Sequence, residues 1–446
     1  MTLTGVLAGG LFLYTSLSGR SPMKGVGQQQ KTDDVDRLTL ITRKTSPTAT
    51  TRMKIPAARP IPEFVKHGIK WLVEAQHSSG GWGAGSQPNL NPSNVVLDPA
   101  TTAFAGIALL RAGHTPTNGI YRSAVRQTTQ FLVDIVEQSP TDGPRITEIT
   151  GTQPQAKLGQ LVDTTMTTQF LARVLATLPR NHPLYDRAGQ ALEKCLTKLQ
   201  SSQQPDGSWG TGGWAPVLQS SLGTTALELA EVAGKPIDRK LLHRARGYQK
   251  RNFNATSGKI NASASAGVAL YAFAGAQRAA AGEARAASQL VEEAKDEGKL
   301  SPTAPVSADN LRKIGVADDR ARELATAQQA SQSQIKKLDD ENLLRGFGNN
   351  GGEEFLSYLM TSESLVITGG NAWKQWNQKI TDRLSKIQNP NGSWNGHHCI
   401  SSPVFCTAAV IQCCTTDRDA VTLAQIAQNA AKQQQAARPQ TVAGPR

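Results

Sequence analysis

The chain has 446 residues, of which 38% are apolar, 19% charged and 5% aromatic, and its formal net charge is +13. This apolar share excludes a wholly disordered polymer, and the lack of an apolar run of roughly 18 residues excludes a membrane protein with several spans. Residues 1–60 hold nine basic and three acidic residues, so much of the charge lies near one end. Because no helix-turn-helix, zinc-finger or RNA-binding motif accompanies it, we do not expect nucleic acid as a partner.

The first 60 residues predict two segments outside any core. Residues 1–19 are mostly apolar or small, which predicts a signal-like or membrane-anchor segment. Residues 20–60 are rich in Thr, Lys, Arg, Gln and Pro and predict a disordered basic linker. We therefore expect an exported or membrane-anchored protein attached through its N-terminus. A cytoplasmic protein is the alternative, because no basic residue precedes the apolar segment.

The most informative feature is a pattern that occurs three times: a helical stretch ending in Leu and Gln, a short polar gap, and Gly-x-Trp. We expect each Gln to bond free carbonyls at a helix end, each glycine turn to reverse the chain, and each Trp to pack over the turn. The Gln and Trp are six residues apart in the first and third copies and nine apart in the second. The pairs are Gln76 with Trp82, Gln200 with Trp209, and Gln388 with Trp394.

Each copy ends an amphipathic helical stretch and precedes a more apolar one, and weaker copies of this helix pair fill the intervals. Such self-similarity indicates stacked repeats, because one pair alone cannot bury its apolar faces. Residues 61–416 then hold about six pairs, which predicts an all-α protein, an α/α toroid whose inner helices line a central cavity. Residues 279–344 predict a charged, exposed helical insertion, and residues 417–446 predict a polar C-terminal tail.

The Gln and Gly-x-Trp pattern resembles the QW repeat of squalene and oxidosqualene cyclases and, more widely, the terpene cyclase and protein prenyltransferase superfamily. The segments Gly351 to Leu356 and Gly396 to Ile400 are also similar to those of bacterial prenyltransferase and squalene oxidase repeat proteins. The resemblance covers residues 61–416. It implies an α/α toroid and an apolar or isoprenoid-like ligand.

The catalytic motifs of that superfamily are missing. Its cyclases donate a proton from an Asp-x-Asp-Asp or Asp-Cys-Thr-Ala motif, and neither occurs here. Its prenyltransferases bind zinc through an Asp, a nearby Cys and a distant His, and no Asp-x-Cys stands at a helix start. The scarcity of aromatic residues also disfavours a cavity that stabilises carbocations.

Acidic side chains nevertheless stand at several predicted starts of inner helices, which open onto one cavity mouth. They are Asp98, Asp163, Glu353 and Glu354. A carboxylate at such a position either caps free amides and complements the helix dipole, or serves as an acid at the mouth. Together with His398, these four are the candidate catalytic residues.

A second cluster, His397, His398 and Cys399, precedes the last inner helix, with Cys406 nearby. Imidazole and thiolate are good Zn²⁺ ligands, so these four residues are the candidate metal ligands, with zinc as the cofactor. A Cys nucleophile with a His base is a second possibility, and a purely structural turn is the third.

Two classes of function stay open. The missing motifs favour a toroid that binds an apolar ligand or a protein partner in or at its cavity, without catalysis. The alternative is an enzyme, similar to an isoprenoid cyclase or transferase, with a non-standard acid or metal site at the cavity mouth.

Overall fold

Helices form all the regular secondary structure of the part of the chain that is described, apart from isolated β-bridges. The computed structural model describes residues 58–86, 91–210, 212–348 and 350–432. The all-α prediction is confirmed. The predicted anchor segment 1–19, and all of the predicted linker up to residue 57, lie outside the described residues, so export and membrane attachment stay predictions. None of the described helices is long and apolar enough to cross a membrane.

Six helices form a closed inner ring. Each contacts the next one along the chain, and the sixth packs against the first, which confirms the predicted α/α toroid. Their residues are buried on nearly every face, so the centre of the ring is shielded from bulk solvent by side chains. The inner helices are α2 (Pro99–Arg111), α5 (Val162–Leu175), α7 (Pro216–Val232), α9 (Ala269–Asp296), α13 (Gly352–Thr368) and α15 (Pro403–Cys414).

Outer helices surround this ring and bury only one face. Because each of them precedes its inner helix in the chain and runs back along it, the inner helices are parallel to one another. Most outer helices pack in the groove between two inner ones. They are α1 (Glu63–Glu74), α3 (Arg122–Gln138), α6 (Leu184–Ser201), α8 (Arg239–Lys250), α11 (Asp318–Ile335) and α14 (Ala372–Ser385).

The three Trp-containing turns are equivalent in their hydrogen bonds. The backbone N–H of each Trp donates to a Thr or Ser hydroxyl on the inner helix that follows. The glycine two residues before each Trp has a φ of 93–96°, a left-handed value that a side chain would strain. The indole N–H of each Trp donates to a carbonyl ten residues earlier: Trp82 to Leu72, Trp209 to Leu199, and Trp394 to Leu384, at 2.9, 2.7 and 2.8 Å.

The structure corrects the glutamine of the second turn. Gln76 and Gln388 each donate to the carbonyl of the residue four positions later and to a carbonyl of the next outer helix. In the second turn Gln203 makes these bonds, to Gly207 and Leu241. The side chain of Gln200 instead accepts from the amide of Asp238. With Gln203 the separation from the Trp is six residues in all three copies.

Replacing Gln203 by Ala tests this register. The variant Gln203→Ala loses two bonds to partly buried carbonyls and an exposed bond from Arg244, so we expect the free energy of unfolding to fall by about 1–2 kcal/mol. Gln200→Ala is the matched control and loses one exposed bond, which predicts a decrease under about 1 kcal/mol. Urea denaturation monitored by circular dichroism measures both. A larger decrease in the free energy of unfolding for Gln200→Ala than for Gln203→Ala would show that Gln200, nine residues before Trp209, is the equivalent glutamine.

The predicted insertion is helical, but it is packed rather than exposed. Its first part continues α9 to Asp296 as one helix of 28 residues. The short helix α10 (Ala308–Lys313) and the outer helix α11 then fold back on α9, and together they bury their own apolar cluster. The insertion ends in a second short helix, α12 (Glu341–Leu344), which leads to α13.

The predicted polar tail is wrong for its first part. A 3-10 turn, Thr416–Asp419, leads into α16 (Ala420–Lys432), which packs against α7, α9 and α13. The apolar side chains of Leu423, Ile426 and Ala430 are buried there because they recur every three or four residues and share one face. Residues 433–446 lie outside the described part of the chain.

A network of buried ion pairs lies toward the end of the ring that α16 covers. Glu363 on α13 pairs with Arg111 and with Arg278, the latter at 3.0 Å, and Asp419 pairs with Arg173 at 2.7 Å. Burial opposes ionisation of Glu363, but the surrounding guanidinium groups outweigh it and lower its pKa to about 2. The remaining members of the network are Glu228 and Arg246.

We expect Glu363→Gln to lower the free energy of unfolding by about 3–5 kcal/mol, because it leaves buried guanidinium groups without their counter-charge. The exposed pair of Glu297 with Lys299 provides the control, and Glu297→Gln should cost less than about 1 kcal/mol. Because the pKa of Glu363 is depressed, wild-type stability should also fall as the pH drops from about 4.5 toward 2. Equal losses in the two variants at pH 7 would contradict a central role for Glu363.

Candidate functional site

The parallel inner helices bring their N-terminal ends together at one end of the ring, which we call the mouth. The mouth comprises the first turns of α2, α5, α7, α9, α13 and α15 and the loops that precede them. Four of the candidate acids, Asp98, Asp163, Glu353 and Glu354, lie here and are buried. All four therefore lie near the N-terminal ends of inner helices, and a catalytic role for them stays a prediction.

Asp98 and Asp163 form a buried pair. Asp98 is the N-cap of α2: its Oδ1 accepts from the amide of Thr101 at 2.7 Å and its Oδ2 from the amide of Ala84 at 2.9 Å. Asp163 accepts from the amide of Ala100, so it also caps α2, from the neighbouring helix. Burial, and then the charge of Asp163, raise the pKa of Asp98 to about 7, and burial raises the pKa of Asp163 to about 6. All four oxygens have protein donors, which supports the capping explanation.

A short helix that the sequence analysis missed, α4 (Gln153–Leu158), crosses the mouth. Gln155 donates to Oδ2 of Asp163 at 2.7 Å. The side-chain oxygen of Gln153 accepts from the amides of Ser401 and Ser402 at the start of α15. The helix α4 therefore links the aspartate pair to the loop before the last inner helix.

Glu353 and Glu354 occupy the first turn of α13 and have different surroundings. Oε1 of Glu354 accepts from the hydroxyl of Tyr271 at 2.5 Å and from the amide of Phe347 at 2.9 Å. Oε2 of Glu353 accepts from the amide of Ile400 at 3.1 Å, whereas its Oε1 has no hydrogen-bond partner among the described residues. Burial raises the pKa of Glu353 to about 7. Glu353 is thus a buried carboxyl whose pKa lies near neutral pH, and the thiol of Cys399 is close enough to interact with it.

His398 lies beside Glu354, with 3.5 Å between its Nε2 and Oε2 of Glu354. The glycine-rich run 346–352 makes this approach possible, because a Cβ at Gly351 would lie 2.6 Å from both the imidazole of His398 and the carboxylate of Glu354. The backbone of Cys399 has a left-handed φ of 54°, which turns the chain so that the next amide reaches Glu353.

Aromatic rings cover this group. The ring of Phe347, 58% exposed, lies 5.1 Å from His398 and 5.6 Å from Trp214. Trp214 in turn contacts the buried ring of Tyr271 at 6.3 Å, and the ammonium of Lys157 lies over its indole. An apolar surface open to solvent therefore leads toward the buried carboxyl groups of α13.

The zinc hypothesis gains no support from this arrangement. In the described part of the chain no three His, Cys, Asp or Glu side chains are grouped so that they could hold a metal ion. His397 is exposed, and the thiol of Cys406 donates to the carbonyl of Ile400. Burial raises the pKa of the Cys399 thiol to about 12 and that of Cys406 well above its ordinary value, so neither is a thiolate at neutral pH on its own. This disfavours the Cys nucleophile.

Several residues of the mouth were not identified from the sequence: Gln153, Lys157, Trp214, Tyr271 and Phe347. Two signals were available. Thr152 to Gln155 is a capping box with Pro154 inside it, which predicts a helix start. Trp214 is a tryptophan outside the repeated turns, in a protein with few aromatic residues.

The similarity of this chain to known proteins is one of structure. No protein-family model matches the sequence, and no curated protein matches it. Among solved structures, the chain is similar to the apo form of the type II terpene cyclase MstE from Scytonema, with 15% identity and a TM-score of 0.43 over 81% of this chain and 98% of that chain. A variant of that cyclase in complex with its product, merosterolic acid A, gives the same identity and TM-score over 81% of this chain and 97% of that chain.

Replacing Glu353 by Gln tests its buried, protonated state. A carboxyl whose pKa rises from 4.5 to about 7 on folding stabilises the protein fully at low pH and loses this contribution as the pH rises through 7. The amide of Glu353→Gln has no charge to bury. We therefore expect the variant to gain on the order of 2–3 kcal/mol relative to wild type between pH 5 and pH 8.

Denaturation curves at pH 5, 6, 7 and 8 measure this difference. The matched control is Glu74→Gln, at an exposed position on α1, and its stability should differ from wild type by a constant amount across the series. Parallel pH profiles for wild type and Glu353→Gln would show that Glu353 is ionised in the folded protein.

Proposed function

We propose that the protein binds an apolar small molecule at the mouth, with an oxygen of the ligand facing Glu353. The observation that carries this proposal is the exposed ring of Phe347, packed on the half-buried Trp214, next to the acidic first turn of α13. In that turn Oε1 of Glu353 and Oε2 of Glu354 are buried and have no hydrogen-bond partner among the described residues. The ring interior is lined by buried side chains, so the mouth, rather than the centre of the ring, is the accessible place for a ligand.

The aromatic rings supply the apolar part of the site. A ligand that covers the exposed ring of Phe347 stabilises the complex by roughly 25 cal/mol per Å² of apolar area removed from water. Trp214 and Tyr271 continue the same surface inward. A flexible hydrocarbon chain fits such a series of tilted rings better than a rigid polar molecule does.

Glu353 supplies the polar part. A buried polar oxygen without a partner costs about 1–3 kcal/mol, and a ligand that bonds it recovers this cost. Because the pKa of Glu353 is about 7, its carboxyl group donates a hydrogen bond to a hydroxyl or carbonyl oxygen over much of the neutral range. An isoprenoid alcohol combines both features, with an apolar chain for the rings and a terminal hydroxyl for the carboxyl group.

The proposal is tested with farnesol as the probe, by isothermal titration calorimetry on the purified protein. We expect the double variant Trp214→Ala, Phe347→Ala to bind farnesol at least about tenfold more weakly than wild type, since two aromatic contacts are lost. The control is Ile120→Ala, which removes a side chain that is 79% exposed beyond the C-terminal end of α2. Equal affinity in wild type and the double variant, or no binding to wild type, would contradict the proposal.

An enzyme is the second candidate, and one observation favours it: burial raises the pKa of Glu353 to about 7, next in the chain to the carboxylate that Tyr271 contacts. Glu353 would transfer its proton to an alkene carbon of the ligand, and the resulting carboxylate would take a proton from the neighbouring carbon. The net reaction is alkene isomerisation, and the rings stabilise the intermediate cation.

Glu353→Gln separates the two candidates. Its amide N–H still donates to a ligand oxygen, so farnesol binding should stay within about threefold of wild type. An acid catalyst would lose all turnover in this variant, as measured by gas chromatography and mass spectrometry of the products. Unchanged farnesol after incubation with wild type would leave ligand binding as the function.

A further inference from the structure

The packed insertion forms part of the wall of a second cavity, which is separate from the mouth. The cavity has a volume of about 240 Å³ and lies between α9, α11 and the residues that follow α8. It shares no lining residue with the mouth. Its apolar wall includes Phe253, Ala276, Ala280, Ala327 and Ala330.

One polar side chain in this wall lacks partners. Gln334, near the end of α11, is 1% exposed, and neither its Oε1 nor its Nε2 has a hydrogen-bond partner among the described residues. Buried amides in native proteins are almost always bonded. An unpaired donor and an unpaired acceptor on one side chain at a cavity indicate that a ligand supplies the missing hydrogen-bond partners.

The charged residues at the cavity satisfy one another. Lys250 pairs with Glu283 at 2.7 Å and with Glu323 at 2.9 Å, and Glu323 also pairs with Arg320. Arg322, which is exposed, pairs with Asp318 at 2.6 Å. The cavity therefore offers no unpaired charge to a ligand, and the amide of Gln334 is its unsatisfied group.

We propose that this cavity binds a small neutral molecule that presents an amide or lactam edge to Gln334 and an apolar body to the alanines and Phe253. Nε2 of Gln334 donates to the carbonyl of such a ligand, and Oε1 accepts from its N–H. A carboxylate fits less well, because one of its oxygens would face Oε1. A cavity of 150 Å³ holds benzene, so 240 Å³ holds a body of about ten non-hydrogen atoms.

The proposal is tested with benzamide as the probe and with benzoate and toluene as analogues that lack the donor–acceptor edge. Isothermal titration calorimetry at pH 7 on the whole protein should show benzamide binding at least about tenfold tighter than either analogue. Gln334→Leu should abolish this preference. Gln332→Leu is the matched control, because Gln332 lies on the same helix and is exposed, and it should leave benzamide binding unchanged.

Thermal unfolding gives a second, independent measurement. Gln334→Leu removes an unpaired buried amide, so the ligand-free variant should unfold at the same temperature as wild type or higher. Benzamide should raise the unfolding temperature of wild type and of Gln332→Leu but not that of Gln334→Leu. Ala327→Phe fills the cavity and should also block the probe. The proposal is overturned if benzamide does not bind to wild type, if benzoate binds equally well, or if Gln334→Leu retains the preference.

Discussion

The parallel direction of the six inner helices is the constraint on which the rest of the structure depends. An outer helix returns the chain after every inner one, so all inner N-termini meet at the mouth and all C-terminal ends lie at the other side. The aligned peptide dipoles make the mouth favourable for carboxylates and the opposite end favourable for cations. The sequence follows this polarity: Asp98, Asp163, Glu353 and Glu354 lie at the mouth, and the buried arginines lie toward the opposite end.

Burial outweighs the helix dipoles at Asp98, Asp163 and Glu353 and raises the pKa of each. A helix N-terminus stabilises a carboxylate by about 0.3–1 kcal/mol, whereas a rise of the pKa of Asp98 from 3.8 to about 7 corresponds to roughly 4 kcal/mol in the opposite direction. Glu363 shows the reverse outcome, because three guanidinium groups surround it. A glutamate therefore has a raised pKa at the mouth, in Glu353, and a lowered pKa near the opposite end, in Glu363, and the difference comes from its neighbours.

The repeated turns and the helix starts were predictable from the sequence because both depend on residues close together in the chain. The register of the second turn was not, since its polar gap offers Gln200, Gln203 and Gln204, and only the contact of Gln203 with Leu241 of the next outer helix identifies the equivalent residue. The helix α16 was missed because its stripe of Leu423, Ile426 and Ala430 is short and surrounded by polar residues. Tyr271 reaches Glu354, and Trp214 reaches Tyr271, only because inner helices far apart in the sequence pack side by side, and no local pattern reports such a contact.

Closure of the ring also determines where a ligand site can lie. Since α5 is buried on every face, a molecule of isoprenoid size has no open space at its side. At the mouth, the loops before α13 and α15 are joined by backbone hydrogen bonds, from Gly352 to Ile400 at 2.8 Å and from His397 to Asn350 at 2.7 Å. The glycines of the run 346–352 allow Glu354 and His398 to approach there, and the left-handed Cys399 directs the amide of Ile400 onto one oxygen of Glu353. The acids belong to the helices, but backbone amides of the two loops bond to them, so the site depends on both.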